Sequence, residues 1–171
     1  MKPKRTNGVK NISSNDITSL EGIEAFTNIT KLIYTNHSIS TTVVLGNKPH
    51  LKEVILNRYY SPTDGITSFF AIAPQLEFLV LSKNKHTQLD VSNNTNLIYL
   101  EYNNNQLTQL NMANGNNNAL NFTIVDNNPN LTCIQIDSTL NSYWVKDAHA
   151  YWSTDYNYPS LSTDAKNLLM C

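Results

Sequence analysis

Residues 75–112 read QLEFLVLSKNKHTQLDVSNNTNLIYLEYNNNQLTQLNM, and one spacing of apolar residues is written there twice. Leu76, Leu79, Leu81, Asn84, Leu89 and Val91 are followed, each 21 positions later, by Leu97, Leu100, Tyr102, Asn105, Leu110 and Met112. A self-similar unit this short cannot bury its own apolar face, so its copies must stack into a solenoid. Successive residues of a strand point to opposite faces, which sends Leu79 and Leu81 inward and leaves Phe78 and Val80 outside. One strand per unit, stacked in parallel, makes a sheet.

Outward from that stretch, the asparagine position recurs as Asn15, His37, Tyr59, Asn84, Asn105 and Asn127, at steps of 22, 22, 25, 21 and 22. The inward pairs before it are Leu32 and Tyr34, Val54 and Leu56, Leu79 and Leu81, Leu100 and Tyr102, then Phe122 and Ile124. An asparagine amide there can bond the backbone groups that a sharp turn leaves unpaired. His37 can substitute for it, since an imidazole also donates and accepts. Lys10 stands where Leu32 stands one unit later, so the chain opens on a polar cap rather than a full repeat. Between Leu56 and Phe69 the spacing lengthens; Pro62 and Asp64-Gly65 mark a loop that carries Tyr59 and Tyr60. Residues 114–118, NGNNN, read as another loop.

The pattern L-x-x-L-x-L/Y-x-x-N, with apolar residues five and seven positions past the Asn, resembles the leucine-rich repeat over residues 15–137. Residues 17–32 are similar to the linkers of internalin-like bacterial repeats. The run N-P-N-L-T-C-I-Q-I-D at 128–137 resembles the closing segment of secreted or surface leucine-rich repeat proteins of the Bacteroidetes, flavobacteria in particular. The resemblance implies an α/β fold: a right-handed, horseshoe-like solenoid with one parallel sheet, an irregular or 3-10 outer side, and a C-terminal cap. It implies a single domain over 1–171, divided into a cap and first turn at 1–23, repeats at 24–137 and a closing cap at 138–171. In those relatives the tail ends in a cysteine bonded to the one in the closing segment, which here implies a disulfide between Cys133 and Cys171. Tyr143, Trp144, Trp152, Leu168 and Leu169 in the tail supply apolar cover for the last repeat.

Composition excludes several functions. The net charge is −1 and the pI about 6.4, without the clustered Lys and Arg that a nucleic-acid partner requires. The basic Lys2, Lys4 and Arg5 belong to a frayed end. No apolar run approaches the roughly 18 residues that read as a membrane span, and polar Thr6, Asn7 and Gly8 stand where a signal peptide would be apolar. Asp147, His149 and Ser153 lie close in sequence, yet no nucleophile elbow or H-E-x-x-H motif accompanies them, so no enzyme is expected. Asp90, Asp126 and Asp137 are single turn carboxylates without the dense acidic spacing of a calcium loop. The expectation is a monomer needing neither metal nor cofactor.

Function then rests on the sheet surface. The outward positions are Lys31, Ile33 and Thr35; Glu53, Ile55 and Asn57; Phe78, Val80 and Ser82; Tyr99, Glu101 and Asn103; and Asn121, Thr123 and Val125. The apolar stripe Ile33, Ile55 and Val80, with Phe78 and Tyr99 beside it and Glu101 and Asn103 at its end, is the candidate ligand face on the concave side, joined by Tyr59 and Tyr60 from the loop. A protein ligand is the first reading. Glycan binding by the exposed aromatics, and a structural segment of a larger surface protein, stand as alternatives.

The disulfide would close a loop of 38 residues and contribute roughly 3 to 4 kcal/mol. Such bonds persist in oxidising compartments, so export is expected, with the signal segment absent from this chain. Alkylation of the denatured but unreduced protein should leave both cysteines unlabelled by mass. Two labelled thiols would remove the bond and the main argument for a secreted or cell-surface protein.

Overall fold

The computed structural model describes residues 10–11, 17–58 and 64–137. The chain winds into a parallel β-solenoid of about four turns. Its front sheet has six strands, β1 (Lys10–Asn11), β2 (Lys31–Ile33), β4 (Glu53–Ile55), β6 (Phe78–Val80), β8 (Tyr99–Glu101) and β10 (Phe122–Ile124), in the order β1-β2-β4-β6-β8-β10. Lys10 pairs with Leu32, as the repeat spacing requires of a starting cap.

The other side is also built of strands. Here β3 (Val43–Asn47) pairs with β5 (Phe69–Ile72), while β7 (Gln88–Asp90), β9 (Gln109–Asn111) and β11 (Cys133–Gln135) form a three-stranded sheet. Among the described residues there are two 3-10 turns, Ile23–Ala25 and Asn117–Ala119, and no α-helix. The expectation of an α/β fold with one sheet and an irregular outer side is corrected accordingly. The reason lies in the local period: Val43 and Leu45 are buried around an exposed Val44, and Leu89 and Leu110 are each buried between exposed or half-exposed neighbours. Alternation by two is a strand signal.

The core holds two inward columns from the front sheet: Leu32, Val54, Leu79, Leu100 and Thr123, then Tyr34, Leu56, Leu81, Tyr102 and Val125. Phe122 and Ile124 were expected inside; both are half-buried on the outer surface, and Thr123 and Val125, expected outside, are buried. The turn after each strand explains the slip. Asn36, Lys83, Asn104 and Asn127 have φ of 58°, 59°, 56° and 54°, the left-handed region that asparagine tolerates better than most residues. Each immediately precedes the residue that bonds the stack. In the last coil Asn127 takes the left-handed position, so the bonding amide is Asn128, and the strand before it shifts by one residue.

That amide repeats one geometry. Asn84 Nδ2 donates to the Leu56 carbonyl one coil back at 2.8 Å, and Asn84 Oδ1 accepts from Ile66 N at 2.9 Å. Asn105 does the same with Leu81 O (3.0 Å) and His86 N (3.2 Å), and Asn128 with Tyr102 O (3.1 Å) and Leu107 N (3.1 Å). His37 fills the position in an early coil, its Nε2 donating to Leu56 O at 3.2 Å. A second asparagine column runs along another corner: Asn94 Nδ2 donates to Ala73 O (2.8 Å) and Asn114 Nδ2 to Asn94 O (2.9 Å). The asparagine-rich 114–118 stretch is thus bonded into the stack. Asp137 ties it down further, its carboxylate accepting from Gly115 N at 2.8 Å and Asn117 N at 2.9 Å.

Two imidazoles sit inside this core. Burial above all, with the Arg58 charge helping, lowers His37 from 6.5 to about 4 against the raising effect of its bond to Leu56. Burial and the His37 charge lower His86 to about 3. His86 stacks on Tyr102 with centroids 5.0 Å apart, and neither of its ring nitrogens has a hydrogen-bond partner. It stands 21 positions before Leu107, in an otherwise apolar place.

Two expectations follow from these buried polar groups. The Thr123 hydroxyl is buried without a hydrogen-bond partner, so Thr123→Val should raise stability by up to about 1 kcal/mol in urea unfolding. A comparable loss would show that the hydroxyl is bonded. The histidines bind protons in the unfolded chain at higher pH than in the fold, so their contribution is whole above pH 6.5 and is lost as pH falls toward about 4 for His37 and about 3 for His86. For His37 the loss is on the order of 3 kcal/mol. The urea midpoint should fall over that window, and His86→Leu should flatten the fall; an unchanged slope in the variant would clear His86.

Candidate binding face

The front strands present three columns of side chains, because residues in register on parallel strands stack about 4.8 Å apart. The first column runs Lys31, Glu53, Phe78, Tyr99, Phe122, and the second Ile33, Ile55, Val80, Glu101, Ile124. A third, just past the strands, includes Thr35, Asn57, Ser82 and Asn103. The candidate residues Ile33, Ile55, Phe78, Val80, Tyr99, Glu101 and Asn103 therefore do share one face.

Along the first column, Lys31 and Glu53 form an ion pair at 2.5 Å. Three rings follow: Phe78 and Tyr99 are tilted at 31° with centroids 5.8 Å apart, and Tyr99 and Phe122 are stacked at 4.5 Å and 13°. Phe78 is 37% exposed, and the other two are half-buried. Val80 was expected in the open stripe but is 8% exposed. It lies in mid-sheet between Ile55 and Glu101 in register, and neighbours that close on both sides cover a short branched side chain. Ile33 and Ile55 are half-buried.

Glu101 is held from two sides. The Ser82 hydroxyl donates to its Oε1 at 3.1 Å and the Tyr99 hydroxyl to its Oε2 at 3.2 Å. Burial, then the Glu101 charge and the bond to it, raise the Tyr99 phenol above its usual value. Tyr99 is therefore a neutral donor throughout the physiological range.

Other expected residues are placed differently. Tyr59 and Tyr60 lie outside the described residues, as do Cys171, the 138–171 cap, and Asp147, His149 and Ser153. Cys133 opens β11, half-buried and in register with Gln109. Asp90 and Asp137 cap turns, Asp90 Oδ1 accepting from Ser92 N at 2.9 Å. Among the described residues, no group of three or more His, Cys, Asp or Glu can hold a metal ion, and no helix is long and apolar enough to cross a membrane.

Two surface features escaped the sequence reading. Phe122 and Ile124 belong to the face; the signal for them was the Asn127-Asn128 pair, which repeats Asn104-Asn105 and sets the register of the last coil. On the opposite side, Phe26, Val44, Phe70 and Ile72 are 48%, 53%, 56% and 56% exposed, with Val44 and Phe70 in register. The Phe69-Phe70-Ala71-Ile72 run signalled that patch. Comparison with protein-family models, curated proteins and solved structures finds no match to the chain.

Proposed function

We propose that this chain is a non-enzymatic binding module of the leucine-rich repeat type, secreted or surface-attached, that takes a protein ligand on its front sheet. The observation that carries the reading is the row Phe78, Tyr99 and Phe122, set beside the Ile33, Ile55 and Ile124 column on a regular sheet. Aromatic side chains that remain partly exposed on a rigid backbone lose little entropy on binding and are the commonest interface anchors. The repeat motif, the asparagine column and the closing N-P-N-L-T-C-I-Q-I-D run support the family. The pairing of Cys133 with Cys171 and export belong to the same proposal.

A protein suits this row better than a glycan does. Sugars pack on ring faces, and here Tyr99 and Phe122 cover a face of one another at 13° and 4.5 Å. Ring edges and the flanking isoleucines are what the row offers, and these fit apolar side chains.

Binding partners captured from cell-surface extracts should be lost by the Phe78→Ala/Tyr99→Ala double variant, with affinity down at least about 10-fold and the melting temperature moved only a few degrees. Phe70→Ser, on the opposite patch, should keep them. Capture abolished by Phe70→Ser and untouched by the double variant would move the site to the back; glycan-array binding sensitive to the double variant would favour the carbohydrate reading.

A further inference from the structure

We infer that the segment taken by the front face carries an arginine or lysine between apolar residues, with Glu101 receiving the cation among the aromatic rings. This rests on the front sheet being the binding surface and adds the chemistry of the partner.

Two carboxylates of this side are ion-paired among the described residues, and Glu101 is not. Glu53 has Lys31 at 2.5 Å, and Glu77 has Lys52 at 2.7 Å. Glu101 has no cation among the described residues; its partners are the hydroxyls of Ser82 and Tyr99. Those bonds use two of the roughly four acceptor directions of a carboxylate. They fix its position without neutralising it.

Its surroundings make the unmatched charge costly and the match selective. In register, Glu101 stands between Val80 and Ile124, and the neighbouring column holds Phe78, Tyr99 and Phe122. A half-buried carboxylate in such a setting has lost part of its hydration, and a charge-assisted bond to a guanidinium or ammonium restores what water supplied. Apolar residues on either side of the cation would meet Ile124 in one direction and the Ile55 and Ile33 column in the other. An acidic segment would place like charges together, which repels it from the face.

Short random peptides displayed on phage, selected on the whole chain, provide the test. The enriched pool should carry Arg or Lys flanked by aromatic or branched apolar residues. Glu101→Gln, whose amide oxygen can still accept one hydroxyl bond while its NH2 donates to the other hydroxyl, should weaken those peptides by at least about 10-fold, and Glu101→Lys should redirect selection toward acidic sequences. Unchanged melting temperatures confirm that both variants are folded. A pool that loses affinity for Phe78→Ala but ignores Glu101→Gln overturns the cationic partner and leaves the binding face standing. Peptides indifferent to Phe78→Ala as well, or no enrichment at all, overturn the face and this inference together.

Discussion

The solenoid depends on the asparagine amide that closes the turn after the front strands β6, β8 and β10. A chain that turns sharply at a buried corner leaves backbone carbonyls and N–H groups without partners, and each unpaired group costs about 1–3 kcal/mol. Asn84, Asn105 and Asn128 answer this in two directions, donating to a carbonyl one coil back and accepting from a nearby N–H. An amide is the smallest side chain with both functions at one end. Since both bonds run to the preceding coil, the same contacts satisfy its turn and hold the stack together. Regular columns of outward side chains are a consequence of that regularity.

How much of this was legible before any coordinates follows from what the amide controls. The 21-residue echo between Leu79 and Leu100 sufficed to place the inward residues of the first coils and to set Lys10 against Leu32. It failed at the last coil, where Phe122 and Ile124 looked like the better core residues than Thr123 and Val125. Hydrophobicity argued for one register, and the left-handed turn at Asn127 enforced the other. Because strand side chains alternate, a shift of one residue exchanges the two faces completely. The outer strands went unread for a related reason: three residues with one buried, as in Gln88–Asp90, give a period too short to announce itself, although Leu89 and Val91 were recognised as recurring apolar positions. The aromatic character of the front sheet was partly visible in Phe78 and Tyr99; the third ring was hidden by the register.

The polar groups that break the pattern show where stability has been given up. Thr123 buries a hydroxyl without a partner, and His86 buries two ring nitrogens without one. His37 differs, because its Nε2 bond to Leu56 O performs part of the asparagine's task. A histidine in the ladder is thus a working replacement, whereas one beside Tyr102 in an apolar column has only a stacking contact to set against its desolvation.

The last coil shows how fold and surface are coupled. Accepting the Asn127 turn costs the core two large apolar side chains and admits the smaller Thr123 and Val125 in their place. The same shift puts Phe122 against Tyr99 at 4.5 Å and Ile124 beside Glu101 in register. With Phe122 inside, the row would hold two rings, the polar Asn121 would stand next to Tyr99, and Glu101 would be flanked by Thr123 instead of Ile124. A register that favours packing alone would therefore dissolve the aromatic row at its end. The register that the turn imposes completes it, and the apolar setting of Glu101 exists only in that arrangement.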